Sequence, residues 1–580
     1  MEAKLMDSIR EYERWLKSPL MTEDYRRELE GIKGNESEIE ARFGSRLEFG
    51  TAGLRGILGA GLSMMNIFTV RQATQGLANM IASLGKDTAN RGVAIAHDCR
   101  HMSREFALEA ASVLAAAGVR SFVFDELRPT PELSFAVREL GCIAGINITA
   151  SHNPKEYNGY KVYWEDGAQL SPANADKVLA EIRKTDIFDD VKTMPLKEAE
   201  EKGLVNYIGK DFDERYLKNV LAQSVGTEDV RRACKDFKIV YTPFHGAGYR
   251  LVPEVLHRLG FENIICVPEQ MVLDGDFPTV KSPNPEDKEG FKIAIELAKK
   301  EDVDLIIGTD PDSDRVGIVV RNSDGEYVSL TGNQVGVLLT DYIISARRQN
   351  GTLPENAAVV TSIVSTRMTE EICRRNNVAI FNVLTGFKFF GEKIKEFEAT
   401  GSHTYIFGFE ESYGYLAGTY ARDKDAVVAS MLIAEMAVWY KNKGMTLYDA
   451  IEALYKKYGY YAERTISIKI TGNGAQDRMK KMMADLRSEA PREINGVKVK
   501  AVRDYLSGER VDLETGEKTP TGLTASNVLY YELCDGNFVV VRPSGTEPKV
   551  KLYLLVSGKN QQETAALLDS YETEMRKLLQ

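Results

Sequence analysis

Long apolar runs are missing from this 580-residue chain: the best, residues 426–434, stops at Glu435, well short of the roughly 20 residues a membrane-spanning helix needs. A buried helix fits that run better. The opening residues, Met1 to Asp7, hold no secretory apolar segment, so the cytoplasm is the expected compartment. Cysteine is sparse and scattered. Cys99, Cys142, Cys234, Cys266, Cys373 and Cys534 show no paired metal-ligand spacing, which suits reduced thiols in packed interiors. Excess positive charge is absent too: 74 Lys and Arg against 85 Asp and Glu leave a net charge of -11, a field that repels a nucleic-acid backbone. A nucleic-acid binder and a membrane protein are thereby set aside, and no obligate protein partner is evident.

What is present suits a large globular enzyme. With 43% hydrophobic and 27% charged residues, the chain can bury several cores and should divide into domains. Strand-like and helix-like patterns alternate (helices at 69–84 and 105–117, strands at 93–96 and 121–124), which predicts α/β layers. The strand-like residues 238–241 precede Gly246-Ala247-Gly248 and a helical run through Leu259; without a dinucleotide fingerprint, this reads as a tight turn. Charge-rich stretches at 197–203 and 462–467 are candidate boundaries, giving four domains at 1–205, 206–325, 326–460 and 461–580. The segment through Arg42 reads as a charged helical extension outside the core.

Four loops carry chemistry. In Thr149-Ala150-Ser151-His152-Asn153-Pro154, continuing through Tyr157-Asn158-Gly159-Tyr160-Lys161, a serine follows a short buried strand at 143–148. A hydroxyl is a weak nucleophile until a base or a positive field acts on it, and His152, Lys161 and the loop amides can supply either. Taken alone, the segment also reads as a polar turn. In Asp310-Pro311-Asp312-Ser313-Asp314-Arg315, between apolar runs at 303–307 and 316–320, three carboxylates spaced two apart can converge on one point. They repel unless a cation sits among them, and an oxygen-only set suits Mg²⁺. An EF-hand loop wants Gly sixth and Glu twelfth, where this chain has Arg315 and Arg321.

Arg542-Pro543-Ser544-Gly545-Thr546, after the apolar run 538–541, has the chemistry of an anion clamp: a planar guanidinium fork, two hydroxyl donors and a glycine that lets amides approach. Gly408-Phe409-Glu410-Glu411-Ser412-Tyr413-Gly414 places carboxylates beside a hydroxyl, a set that accepts hydrogen bonds from sugar hydroxyls, although either glutamate alone reads equally well as a solvated residue.

These four loops, in this order, resemble those of the α-D-phosphohexomutase superfamily, and the likeness spans nearly the whole chain. Phe49 to Gly56, His97-Asp98-Cys99-Arg100 with Ser103, Asn284-Pro285-Glu286 and Thr385-Gly386-Phe387-Lys388 add to it, and the Gly-Phe-Glu-Glu-Ser form is similar to the phosphoglucomutase and phosphopentomutase branch. The resemblance implies three related mixed α/β sandwiches and a smaller C-terminal α+β domain around a central active-site cleft, with hinge motion of the last domain. It implies Ser151 as a phosphoryl carrier and metal ligand, Asp310, Asp312 and Asp314 as the other Mg²⁺ ligands, and Arg55 and Arg315 as assisting cations. It implies sugar contacts from Lys388, Glu410 and Ser412, and a phosphate grip from Arg542, Ser544, Gly545 and Thr546. The sugar loop departs from the bacterial phosphomannomutase pattern in having no histidine, so the general acid/base passes to Lys161, with His152 second.

The expected activity is interconversion of α-D-glucose 1-phosphate and glucose 6-phosphate through a phosphoserine and glucose 1,6-bisphosphate, with a small phosphosugar as the only partner. Phosphopentomutase and phosphomannomutase activity, a phosphosugar phosphatase and a catalytically silent phosphosugar-binding regulator are the competing readings.

Overall fold

The computed structural model describes residues 2–50, 53–472, 474–544 and 548–579. These fall into two compact units: one gathers the chain up to Leu330 with Phe390–Tyr405 and Tyr413–Thr446, the other gathers Thr331–Phe389, Ile406–Ser412 and the chain from Leu447 onward.

The first unit holds two mixed sheets. The six-stranded one runs Leu54–Ile57, Tyr157–Trp164, Ala144–Ile148, Val93–His97, Ser121–Phe124, Val205–Ile208. Its centre is parallel, and the strands Val93–His97 and Ala144–Ile148 are buried at every position, as expected where helices cover both faces. Tyr157 to Lys161, read from sequence as part of the serine loop, instead open the strand Tyr157–Trp164, which pairs antiparallel with Ala144–Ile148 and sets Lys161 opposite Asn147. The second sheet runs Tyr327–Leu330, Val316–Arg321, Leu305–Thr309, Lys238–Thr242, Asn263–Cys266. In both sheets the loop of interest leaves the carboxyl end of a central strand, the usual ligand side of an open α/β sheet.

In the second unit, Ala357–Ser362 and Ala379–Val383 pair in parallel. The C-terminal part is a strongly antiparallel sheet built from Tyr460–Lys469, Lys549–Gly558, Phe538–Pro543, Leu529–Leu533 and Val497–Asp504, with Glu509–Asp512 and Lys518–Pro520 beyond. Met479 and Met483 from the helix Ala475–Ser488, and Leu568, Tyr571 and Met575 from Gln561–Leu578, join one face of it in a single core.

Several expectations shift. Val205–Ile208 is an edge strand of the first sheet, beside Ser121–Phe124, so the boundary expected at 205/206 cuts through it. Tyr327–Leu330 returns to the second sheet, which therefore runs past residue 325. Residues 462–467, read as a linker for their polarity, lie inside Tyr460–Lys469, paired along its full length with Lys549–Gly558; half-buried strands alternate polar and apolar residues, and that alternation passes for a linker.

The N-terminal helices Glu2–Lys17, Glu23–Gly31 and Glu36–Phe43 are not outside the core: Tyr12, Trp15, Leu29, Ile39 and Phe43 share one apolar cluster with Phe68, Ile187 and Phe188. The apolar run at 426–434 continues past Glu435 as the helix Ala426–Lys441, because the Glu435 carboxylate accepts hydrogen bonds from the Val225 and Gly226 amides and the Ser224 hydroxyl. No helix among the described residues is long and apolar enough to cross a membrane.

Candidate active site

Ser151 stands three residues beyond the strand Ala144–Ile148. Its amide donates to Thr149 Oγ1 at 2.8 Å, and its backbone is held at φ +51°, in the left-handed region that a residue with a side chain seldom enters. Ser151 is buried, and its Oγ donates to Asp310 Oδ2 at 2.9 Å while lying 3.2 Å from His152 Nδ1.

Asp310, Asp312 and Asp314 bring one carboxylate oxygen each within 4.8 Å of the others, all buried. The loop is tightly built. Asp310 Oδ1 accepts from the Asp314 and Arg315 amides at 3.1 and 2.9 Å. Asp312 Oδ2 accepts from Lys161 Nζ at 2.9 Å and Thr130 Oγ1 at 3.0 Å, and Asp314 Oδ2 lies 3.2 Å from Lys424 Nζ. The turn at Gly246 backs the loop: the Ala247 amide donates to Pro311 O at 2.8 Å, and a Cβ on Gly246 would fall 2.4 Å from Pro311 Cα.

Asp312 Oδ1 and Asp314 Oδ1 are buried with no hydrogen-bond partner. A buried carboxylate oxygen left bare is costly, and two of them beside a third aspartate form an all-oxygen donor set that fits Mg²⁺. Electrostatics agrees. Burial and then the charge of Asp312 push the Asp310 and Asp314 carboxyls above the usual range, whereas at Asp312 the opposing effect of burial is overcome by Lys161.

Arg55, on the strand Leu54–Ile57, donates to Asn153 Oδ1 at 3.2 Å, and Arg315 donates to Glu286 Oε1 at 3.1 Å with its Nε 3.9 Å from Asp314. Burial, then Arg315 and Arg55, hold the His152 imidazole well below the ordinary histidine range, so it is neutral at pH 7. The first unit thus brings together Ser151, His152, Lys161, Arg55, Arg315 and the three aspartates.

The other nominated residues belong to the second unit. Glu410 ends the strand Thr404–Glu410 and is buried, with Oε1 accepting from the Gly386 amide at 2.7 Å. That bond joins the Gly-Phe-Glu-Glu-Ser loop to the Thr385-Gly386-Phe387-Lys388 loop. Lys388 starts the helix Lys388–Thr400, its Nζ 4.9 Å from the centre of the Phe389 ring. Ser412 is half-buried in the turn that follows. Arg542 pairs across the strands with Lys551, and the Ser544 amide donates to Lys549 O at 2.8 Å. Gly545 and Thr546 lie outside the described residues.

Sequence reasoning passed over Thr130 and Lys424 and gave Glu411 and Arg100 no role of their own. Thr130 opens the helix Thr130–Glu139, and its amide donates to Asp312 O at 2.8 Å in addition to its hydroxyl bond. Lys424 neutralises Asp314 and Asp423, and Arg422-Asp423-Lys424-Asp425, a charge run directly before an apolar helix, was the available signal. Glu411 accepts from Ser362 Oγ at 3.0 Å, and burial beside Glu410 pushes it up to about 7. Arg100 stood in a supporting motif without a role; it reaches the serine loop itself.

Against known proteins, residues 46–187, 214–325 and 331–458 match, in turn, alpha/beta/alpha domains I, II and III described as phosphoglucomutase/phosphomannomutase. A phosphoglucomutase of Staphylococcus epidermidis (strain ATCC 12228) is 39% identical over 525 residues, covering 90% of this chain and 93% of that one. The chain belongs to the phosphoglucomutase/phosphomannomutase family. As a member of it, the protein is a phosphohexomutase, a mutase of the isomerase class. A phosphoglucomutase of Staphylococcus aureus (strain MRSA252) is 40% identical over 522 residues, 90% of this chain and 91% of that one. Among solved structures, the putative phosphomannomutase of Thermus thermophilus superposes with a TM-score of 0.66 at 21% identity, over 92% of this phosphohexomutase and 99% of that chain, a likeness of fold.

Proposed function

We propose that this phosphohexomutase interconverts α-D-glucose 1-phosphate and glucose 6-phosphate, carrying the phosphoryl group on Ser151 and passing through glucose 1,6-bisphosphate. The observation that carries the reading is the 2.9 Å hydrogen bond from Ser151 Oγ to Asp310, inside a buried cluster of three aspartates and two lysines. The staphylococcal relatives named phosphoglucomutase support glucose as the sugar.

The resting enzyme holds the phosphoryl group on Ser151 Oγ. With glucose 1-phosphate bound, the Oγ–P bond breaks as a bond forms from phosphorus to the 6-oxygen; the 6-hydroxyl loses its proton and Oγ gains one. Lys161 and His152 serve that exchange, Lys161 with Nζ 2.9 Å from Asp312 Oδ2 and His152 as a neutral imidazole 3.2 Å from Oγ. The bisphosphate then turns end for end. The 1-phosphoryl returns to Oγ with the opposite proton movements, releasing glucose 6-phosphate and leaving the enzyme phosphorylated.

Asp310, Asp312 and Asp314, with a serine-side oxygen of Ser151, would hold Mg²⁺, which when bound offsets negative charge on the group in transfer. Arg55 and Arg315 add positive field. Lys388, Glu410 and Ser412 orient ring hydroxyls, and Arg542, Ser544, Gly545 and Thr546 hold the phosphate that is not reacting, so that positioning lowers the barrier. Six free cysteines fit the cytoplasm as the compartment.

Turnover of glucose, mannose, ribose and deoxyribose 1-phosphates by the purified protein tests the reading. The expected result is the highest kcat/KM for glucose 1-phosphate, activation by glucose 1,6-bisphosphate and no stoichiometric phosphate release. A pentose preference overturns the sugar assignment, and phosphate release matching substrate loss points to a phosphatase.

A further inference from the structure

One arginine gathers the whole serine loop around itself. The Arg100 side chain is fully buried against an equally buried Asp98, with Nε 3.2 Å from Asp98 Oδ2. Its Nη1 donates to the carbonyls of Pro154 at 2.8 Å and Tyr157 at 3.0 Å, and its Nη2 to those of Ser151 at 2.6 Å and Asn153. The Asp98 end is anchored in turn. Asp98 Oδ1 accepts from the Arg100 amide at 2.9 Å and from Ser103 Oγ at 2.7 Å, and Ser103 Oγ accepts from Asn158 Nδ2 at 3.0 Å. Over the guanidinium lies Phe277, from a loop beside the second sheet, with its ring centre 5.0 Å away. That loop comes so near that a Cβ on Gly275 would fall 2.8 Å from the His101 amide nitrogen.

Four carbonyls within seven residues therefore converge on a single planar fork, and only arginine presents enough donors in one plane to meet them. The same loop holds Ser151 at φ +51°, a conformation that persists only where its surroundings over-determine it. We infer that Arg100 is the positioning residue of the transfer step: it fixes the serine loop in the one conformation that presents Ser151 Oγ to Asp310. The inference rests on Ser151 being the phosphoryl carrier. Asp98 and the four carbonyl dipoles offset the cost of burying the cation. The bonds of the Arg100 side chain run to Asp98 and to the serine loop, so its loss acts first on the placement of the reacting oxygen.

Steady-state kinetics of Arg100→Ala, Arg100→Lys and Phe277→Leu, with unfolding midpoints measured alongside, test this. Misplacing a reacting group by about 1 Å costs on the order of 100-fold, so Arg100→Ala is expected to lose about that factor in kcat with KM within about threefold of the parent. Millimolar guanidinium should restore part of the Arg100→Ala rate where sodium at equal ionic strength does not. Arg100→Lys, which cannot reach four carbonyls at once, should fall between Ala and the parent, and Phe277→Leu, which keeps the arginine but uncovers it, should show a smaller kcat loss at constant KM. Unchanged kcat in folded Arg100 variants overturns the inference. So does loss of kcat only in proportion to lost folded protein, without guanidinium rescue; if neither Arg100 variant folds, an unchanged kcat in Phe277→Leu overturns it. Full activity of Ser151→Ala would instead defeat the underlying reading and leave the Arg100 kinetics to be explained afresh.

Discussion

Ser151 Oγ donates to Asp310 Oδ2 at 2.9 Å although 159 positions separate the two residues. One stands just beyond a central strand of the first sheet, the other follows a central strand of the second, and Thr130 and Lys161 tie the metal loop to the first sheet's side. A hydroxyl is thereby delivered among three aspartates and the lysines paired with them, an arrangement with physical sense where a cation and a phosphoryl group share the space.

If the aspartates form a cation site, Asp312→Asn and Asp314→Asn should each weaken Mg²⁺ binding by at least the roughly 10–100-fold that losing a supporting partner costs. Thr130→Val, which removes the hydroxyl bond to Asp312 Oδ2 together with the one accepted from Asn147 Nδ2, should weaken it by about tenfold. Titration calorimetry with Mg²⁺ alone checks both without reference to activity, and unchanged affinity in the Asp314 variant would remove that residue from the site.

Lys161 is buried against Asp312, so Lys161→Met leaves a carboxylate without its counter-charge, a change that costs about 3–5 kcal/mol. Denaturant unfolding with and without Mg²⁺ should show the deficit shrinking as the cation saturates, because the cation supplies the counter-charge Asp312 has lost and so binds the folded variant more tightly than the parent. An Mg²⁺-independent deficit would separate Lys161 from the cation site.

Trp15 is fully buried and meets Phe43, Phe68 and Phe188 edge-on, with ring centres 5.4–5.5 Å apart. Trp15→Ala should cost about 3–5 kcal/mol in chemical denaturation. A loss below about 0.5 kcal/mol, the usual figure for a surface substitution, would return the N-terminal helices to the status of an appendage.

In the C-terminal sheet, Glu532 is buried, which alone would raise its pKa, yet hydrogen bonds from Arg510 and Arg503 hold it at about 2. A carboxyl depressed below its unfolded value of about 4.3 contributes stability that is fully present above that value and is lost as pH falls through the folded one. Glu532→Gln should therefore be less stable than the parent by about 3 kcal/mol at pH 7, with the gap closing between about pH 4 and pH 2. A gap that stays constant over that range would mean the arginines do not act through charge.

The strands that flank the serine, metal and phosphate loops could be read from the short apolar runs at 143–148, 303–307, 316–320 and 538–541. The three aspartates could be read because carboxylates spaced two apart can converge on one point. What stayed hidden depends on contacts between distant segments. Nothing local in Arg100 says that four carbonyls from 151 to 157 will turn toward it, and nothing in Thr130 says that a helix start will meet Asp312. Domain edges failed for a related reason. The charge-rich stretches at 197–203 and 462–467 suggest boundaries until the strands Val205–Ile208 and Tyr460–Lys469 and their partners across the sheet are known.

The central claim is that Ser151 carries the phosphoryl group. Intact mass and peptide mapping of the purified protein after incubation with glucose 1,6-bisphosphate and Mg²⁺ test it most directly. The account predicts a single phosphate on the peptide containing Ser151, transferred to glucose 1-phosphate when that substrate is added. An unphosphorylated Ser151 in protein that is turning over substrate would contradict it.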